Sequence, residues 1–263
     1  MNLYVKVTGD GPDLVLLHGW AMHGGVFDAL INDLSQTYRV HCLDLPGHGR
    51  SNADLSSASL ENLATAVESY VPTNAIVLGW SLGGLLALKL AQRLLLRALV
   101  MVSSTPRFVA NAEWPHGMQP DVFAQFFSRL QQNMQGTVQD FLRLQVRGDA
   151  HPAETFATLK TTLLQHPASP LALQQGLELL RDADERAAVP SVHVPTLVVA
   201  GEYDRIAHPD ACDQLARQLP NARYVVIKRA GHAPFISHRD EFLVEVHNFL
   251  HHLVPDTEAA ISG

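Results

Sequence analysis

Apolar positions along this chain fall into short unbroken runs, separated by stretches in which they recur every three or four residues. The runs are Leu14-Val15-Leu16-Leu17, Val40-His41-Cys42-Leu43, Ala75-Ile76-Val77-Leu78, Leu99-Val100-Met101-Val102, Thr196-Leu197-Val198-Val199 and Tyr224-Val225-Val226-Ile227. A strand with one face in water alternates apolar with polar residues. These runs do not, so each is expected to be a strand buried on both faces. Helical period appears in Phe27, Leu30, Ile31 and Leu34, and again over residues 82–94 and 241–253. Strands alternating with helices predict an α/β fold with a mostly parallel central sheet covered by helices on both sides.

Residues 108–189 break the rhythm. They hold no convincing β run but show amphipathic helical stretches at 122–130, 138–146, 155–164 and 171–180. Pro106, Pro115 and Pro120 mark the entry to this region, and Pro190 and Pro195 its return. The pattern predicts a helical cap, residues 108–189, inserted into a core of residues 1–107 and 190–253. Residues 254–263 are polar or small and are expected to form a frayed tail. No period of about 20–50 residues repeats, which removes solenoids and propellers.

Composition narrows the function. The chain has 263 residues, 47% hydrophobic and 17% charged, a balance that excludes a disordered or highly charged chain and suits one domain with an inserted lobe. A formal net charge of -7 argues against nucleic acid or an anionic membrane as a general partner. Cys42 and Cys212 are too few for a disulfide framework or a cysteine-built metal site. The first ten residues lack the basic and apolar regions of a signal peptide, so a cytoplasmic location is expected. The greasiest stretch, residues 82–102, is interrupted by Lys89, Arg93 and Arg97 and is not expected to span a membrane.

Candidate chemistry is concentrated in Gly79-Trp80-Ser81-Leu82-Gly83-Gly84, which directly follows a buried run and opens a helical one. Strand, tight turn and helix are the context of a nucleophile elbow, which presents the serine hydroxyl above the sheet edge. Glycines on either side are required because helix and neighbouring strand approach too closely for side chains. A serine hydroxyl is a weak nucleophile, so a histidine base and an orienting carboxylate should follow it in the chain. Asp204, in Gly201-Glu202-Tyr203-Asp204, is the later aspartate that follows a convincing strand. Asp121, Asp140, Asp149, Asp182 and Asp184 lie in the expected cap, and Asp210 and Asp213 on the next helix. His232 follows the last strand in a loop shaped by Gly231 and Pro234; its competitor His238 stands at a helix start. The oxyanion donors are expected to be the N–H groups of Leu82, after the nucleophile, and Trp20, in His18-Gly19-Trp20. The turn-rich Asp44-Leu45-Pro46-Gly47-His48-Gly49-Arg50-Ser51 is read as architectural. No histidine forms a ligand spacing with Asp, Glu or Cys, so no metal is expected, and no cofactor is expected because nucleophile, base and oxyanion donors are all protein groups.

These motifs resemble the α/β-hydrolase superfamily from about Leu3 to Leu253. Within it, the chain is similar to the esterases of biotin synthesis that cleave the methyl ester of a pimeloyl chain carried on acyl carrier protein. The similarity rests on His18-Gly19-Trp20, the Ser81 elbow, Glu113-Trp114-Pro115, Phe141-Leu142-Arg143-Leu144-Gln145, Gly176-Leu177-Glu178 and His232-Ala233-Pro234-Phe235-Ile236-Ser237-His238. The resemblance implies a monomeric serine carboxylesterase with catalytic Ser81, Asp204 and His232. It implies substrate contacts at Trp20, Ser81, Leu82, Phe141, Leu142, Arg143, Leu144, Gln145 and His232. It also implies an acidic carrier gripped by cap arginines, here Arg129, Arg143 and Arg147, the last two expected on one helical face. Two competing readings are a general short-chain carboxylesterase of the same fold and a hydrolase-fold binding protein without turnover. Preference for the carrier-bound ester separates the first, and labelling by a fluorophosphonate the second.

Overall fold

The computed structural model describes residues 2–251 and 253. The expected frayed tail, residues 254–263, lies outside the described residues. Seven strands form a single sheet: β1 (Val5–Thr8), β2 (Asp13–Leu17), β3 (Arg39–Leu43), β4 (Ile76–Trp80), β5 (Ala98–Val102), β6 (Thr196–Gly201) and β7 (Ala222–Ile227). Their order is β1-β3-β2-β4-β5-β6-β7, with β1 antiparallel to β3 and every other pair parallel. Each of the six apolar runs becomes a strand. The runs lack alternation because both faces of the sheet are covered. Val15, Leu17, Val77, Leu99 and Val198 join one buried cluster with Leu63, Leu85, Leu88 and Leu215. Their neighbours Leu14, Leu16, Leu78, Val100 and Val199 join the other with Phe27, Ile31, Phe242 and Val246.

The covering helices are α1 (Asp28–Leu34), α2 (Leu60–Val67), α3 (Leu82–Ala91), α8 (Pro209–Gln218), the short α9 (Pro234–Ser237) and α10 (Arg239–His251). Between β5 and β6 come α4 (Pro120–Gln132), α5 (Met134–Gln145), α6 (Pro152–Gln165) and α7 (Pro170–Asp182). Three of these start with a proline at N1 or N2, where its missing N–H is no loss. Ser169 caps α7 by accepting from the Ala172 N–H, and Asn133 caps α5 by accepting from Gly136. Helix α5 ends at Gln145, so Arg147 lies in the following turn and not on a helical face with Arg143. That expectation fails because Gly148, at φ 87°, takes the left-handed conformation that ends a helix.

Loops that leave the C-terminal ends of β2, β4, β6 and β7 carry His18 to Trp20, Ser81, Asp204 and His232 respectively. In an open parallel sheet this edge is where ligands bind. The inserted helices pack over it: the Trp20 indole meets Phe141 edge-on at 4.9 Å and Phe126 at 5.8 Å, and its Nε1–H donates to the Leu173 carbonyl at 2.8 Å. No helix among the described residues is long and apolar enough to cross a membrane.

Candidate active site

Ser81 sits at φ 56°, ψ -118°, a conformation costly for any residue with a Cβ. Four hydrogen bonds hold it there. Its N–H donates to Val102 O at 2.9 Å, and its carbonyl accepts from Gly84 N at 3.0 Å, Leu85 N at 3.1 Å and Ser104 Oγ at 2.8 Å. The flanking glycines have the steric cause read from their spacing. A Cβ on Gly83 would stand 2.1 Å from the Leu17 carbonyl oxygen, and one on Gly79 would stand 2.2 Å from that of Gly83. Both obstacles are backbone, so neither can yield cheaply.

His232 and Asp204 are fully buried and joined by a 2.8 Å bond between Nδ1 and Oδ2. A carboxylate only accepts, so the ring proton is on Nδ1 and the Nε2 lone pair is free. Oδ1 of Asp204 accepts from the Ile206 and Ala207 N–H groups at 2.8 and 3.0 Å, which fixes the carboxylate. Nε2 of His232 is buried and makes no hydrogen bond among the described residues, Ser81 Oγ included. The histidine loop is tied to the serine elbow through Trp80, whose Nε1–H donates to the His232 carbonyl at 2.8 Å.

The neighbouring turn is set by His18. Its Nε2 accepts from Leu45 N at 2.9 Å, so Nδ1–H donates to the Gly19 carbonyl at 2.8 Å. Burial, reinforced by the nearby His48, pushes its pKa down to about 3, so the ring is neutral at ordinary pH. A Cβ on Gly19 would lie 3.2 Å from that of Ser81, which puts this turn directly against the elbow. The backbone N–H groups of Trp20 and Leu82 donate to no acceptor among the described residues. In the next loop the Asp44 carboxylate accepts from Gly24 N, Arg50 N and the Arg50 guanidinium. Burial alone would raise its pKa, but the hydrogen bonds from Arg50 and from the Gly24 N–H outweigh burial and hold it low. The loop is therefore built as a brace.

Of the segment 141–145, Phe141 and Gln145 are buried, Leu144 is half-buried and Arg143 is exposed. Leu142 lines an apolar cleft of about 360 Å³ together with Ala21, Val138, Leu163 and Leu173, with Lys160 also in its wall. Phe141 and Leu144 line a smaller cavity of about 60 Å³ with Phe126, Leu177 and Ile206. The exposed Arg143 and Arg129 both face Asp140, at 2.8 and 4.0 Å, so one carboxylate offsets part of their charge. His238 bonds Ser237 and stands apart from this cluster, at the start of α10.

Sequence reasoning passed over Asp149. It is buried, and its Oδ2 accepts the Gly231 N–H at 2.9 Å while Oδ1 accepts His151 N at 2.7 Å. The Gln145 carbonyl accepts the next N–H, that of His232, at 2.8 Å. The exit of α5 thus clamps the histidine loop. Gly148-Asp149, a turn pair at a helix end, is the one local signal that pointed to it. No group of three or more His, Cys, Asp or Glu able to hold a metal ion occurs among the described residues.

A family model, "Alpha/beta hydrolase family", matches residues 14–246. The chain belongs to the alpha/beta hydrolase family. A pimeloyl-[acyl-carrier protein] methyl ester esterase of Stenotrophomonas maltophilia is 42% identical to this hydrolase over 255 residues, covering 96% of this chain and 98% of the relative. A protein of the same description from Nitrosomonas europaea is 41% identical, covering 92% of this chain and 97% of the relative. Among solved structures, an esterase from Exiguobacterium antarcticum superposes with a TM-score of 0.87 over 95% of each chain at 24% identity, a likeness of fold.

Proposed function

We propose that this hydrolase is a serine carboxylesterase that cleaves the methyl ester of a pimeloyl chain borne on acyl carrier protein, releasing methanol. Its relatives over nearly their whole lengths are esterases, and the chain is an ester hydrolase. The observation that carries the mechanism is the buried His232 ring, fixed by Asp204 in the tautomer that leaves Nε2 free, on a loop tied to the residue before the strained Ser81. Ser81 Oγ attacks the ester carbonyl as His232 Nε2 takes its proton. Asp204 stabilises the imidazolium, and the Leu82 and Trp20 N–H groups receive the oxyanion, each donor contributing on the order of 3 kcal/mol. Nε2 protonates the departing methoxide; water then cleaves the acyl-enzyme. The apolar walls formed by Trp20, Phe141 and the inserted helices suit an alkyl chain with little polar recognition along its length.

Turnover of the carrier-bound pimeloyl methyl ester, of free methyl pimelate and of a p-nitrophenyl ester tests the substrate. A kcat/KM higher by tenfold or more for the carrier-bound form is expected. Equal values would leave a general short-chain carboxylesterase. Labelling of Ser81 by a fluorophosphonate, abolished in Ser81→Ala, tests the nucleophile; an unlabelled native protein would be a binding protein.

A further inference from the structure

The turn that follows α5 stands against both loops that complete the site. A Cβ on Gly148 would lie 3.0 Å from that of Tyr203, the residue before Asp204, and Asp149 Oδ2 accepts the N–H of Gly231, the residue before His232, at 2.9 Å. Ala150 N donates to the Arg229 carbonyl at 2.8 Å and Tyr203 N to the Ala230 carbonyl at 2.9 Å, so the turn and the two loops form one bonded unit. Arg229 sits at φ 59°, a left-handed conformation that a non-glycine residue keeps only where its surroundings hold it. Asp149 is 8% exposed and makes no ion pair among the described residues; its oxygens meet only backbone N–H groups, those of Gly231 and, at 2.7 Å, His151. A buried carboxylate without a cation is costly, and hydrogen bonds offset the cost only while their donors stay in place. The carboxylate therefore resists any shift of the histidine loop.

We propose that Asp149 is a positioning residue for His232, its carboxylate fixing the Gly231-His232 main chain so that Nε2 of the ring is presented in one place. Asp204 holds the ring at Nδ1 alone, and a ring held at one atom still swings with its main chain. The residue before it is a glycine, the least restricted of all, and close approach requires it: a Cβ on Gly231 would stand 2.4 Å from the Gln145 carbonyl oxygen. Anchoring the Gly231 N–H to Asp149 and the His232 N–H to that carbonyl removes the freedom the glycine brings. Both anchors belong to the inserted region, so the base is placed by the cap as well as by the sheet. A misplacement of about 1 Å at a reacting group can cost about a hundredfold in rate. Asp149 acts through the main chain and not on substrate. Attack by Ser81 and hydrolysis of the acyl-enzyme use the same Nε2, so both steps depend on it. The assignment rests on the reading of Ser81 and His232 given above.

The test uses the full-length protein with Asp149→Ala, which removes both acceptors, and Asp149→Asn, which keeps the volume but offers one oxygen to two N–H groups. With a p-nitrophenyl ester, kcat should fall by about tenfold to a hundredfold in Asp149→Ala and by a smaller factor in Asp149→Asn, with KM within about twofold of the native value. Labelling of Ser81 by a fluorophosphonate should slow in step. The low-field proton resonance of His232 Nδ1–H, assigned by its loss in Asp204→Asn, should be sharp in the native protein and broadened by exchange with water in Asp149→Ala. A lower melting temperature with kcat per folded molecule unchanged would make Asp149 structural only, and a raised KM at constant kcat would place it in the substrate path; either result overturns the assignment. A native protein that the fluorophosphonate leaves unlabelled would overturn the reading of Ser81 and His232 itself, a result separable from both. Should Asp149→Ala fail to fold, the near-isosteric Asp149→Asn carries the same readouts.

Discussion

Acidification should destabilise this hydrolase through His18, and the size of the effect follows from its surroundings. The ring is fully buried, with its Nε2 lone pair committed to the Leu45 N–H and its Nδ1–H to the Gly19 carbonyl. A second ring proton would place two donors face to face at Leu45. The folded-state pKa is about 3, against 6.5 for the free side chain. A depressed histidine pKa means that the unfolded chain binds the proton first. The stabilisation is complete above pH 6.5 and is lost as pH falls toward 3. At about 1.4 kcal/mol per pH unit below 6.5, this one residue should lower the unfolding free energy by about 2 kcal/mol between pH 7 and pH 5. That is a large fraction of the 5–15 kcal/mol by which a domain is typically stable. His23 and His48, whose pKa values burial also lowers, act in the same direction. Urea unfolding at the two pH values, for the native protein and for His18→Asn, isolates the contribution. The native protein should lose about 2 kcal/mol more than the variant. Equal losses, or a His18 ring resonance that titrates near 6.5 in the folded protein, would refute the reasoning.

Two further outcomes follow from the site. Asp204→Asn keeps an oxygen for the Ile206 and Ala207 N–H groups but can donate to Nδ1, which inverts the His232 tautomer. The expected loss in kcat is on the order of 10⁴-fold with a nearly unchanged melting temperature, and a loss below tenfold would show that Asp204 does not set the tautomer. Gly176→Ala places a Cβ 2.5 Å from Trp20 Cδ1 and must push the indole from the Leu173 carbonyl. It should cost about 1–3 kcal/mol of stability and lower kcat/KM, read by thermal melting and steady-state kinetics; unchanged kinetics would separate the Trp20 ring from the substrate path.

The sheet was legible because burial on both faces removes alternation, which leaves short unbroken runs such as Leu14 to Leu17 and Leu99 to Val102 between helical stretches. Strand β1 escaped notice for the converse reason. Val5–Thr8 is a short edge strand whose middle residues are exposed, so its pattern carries no burial signal. The Ser81 elbow could be read locally because its glycines answer contacts within a few residues and one neighbouring strand. Asp204 and His232 could be read because the parallel strands β2 to β7 deliver their C-terminal ends to one edge.

Sequence alone thus determined the sheet, the chemistry-bearing loops and the types of residue they offer, since these depend on local period and steric need. Tertiary structure alone decided how the exit of α5 meets the histidine loop. Nothing near Asp149 or Gln145 in the chain shows that their partners are residues 231 and 232, more than 80 positions away. It also decided that Arg147 falls off the helix and that Arg143 and Arg129 share the carboxylate of Asp140. Such pairings depend on where separately encoded helices come to rest, and packing of whole faces, not the period of any one segment, fixes that position.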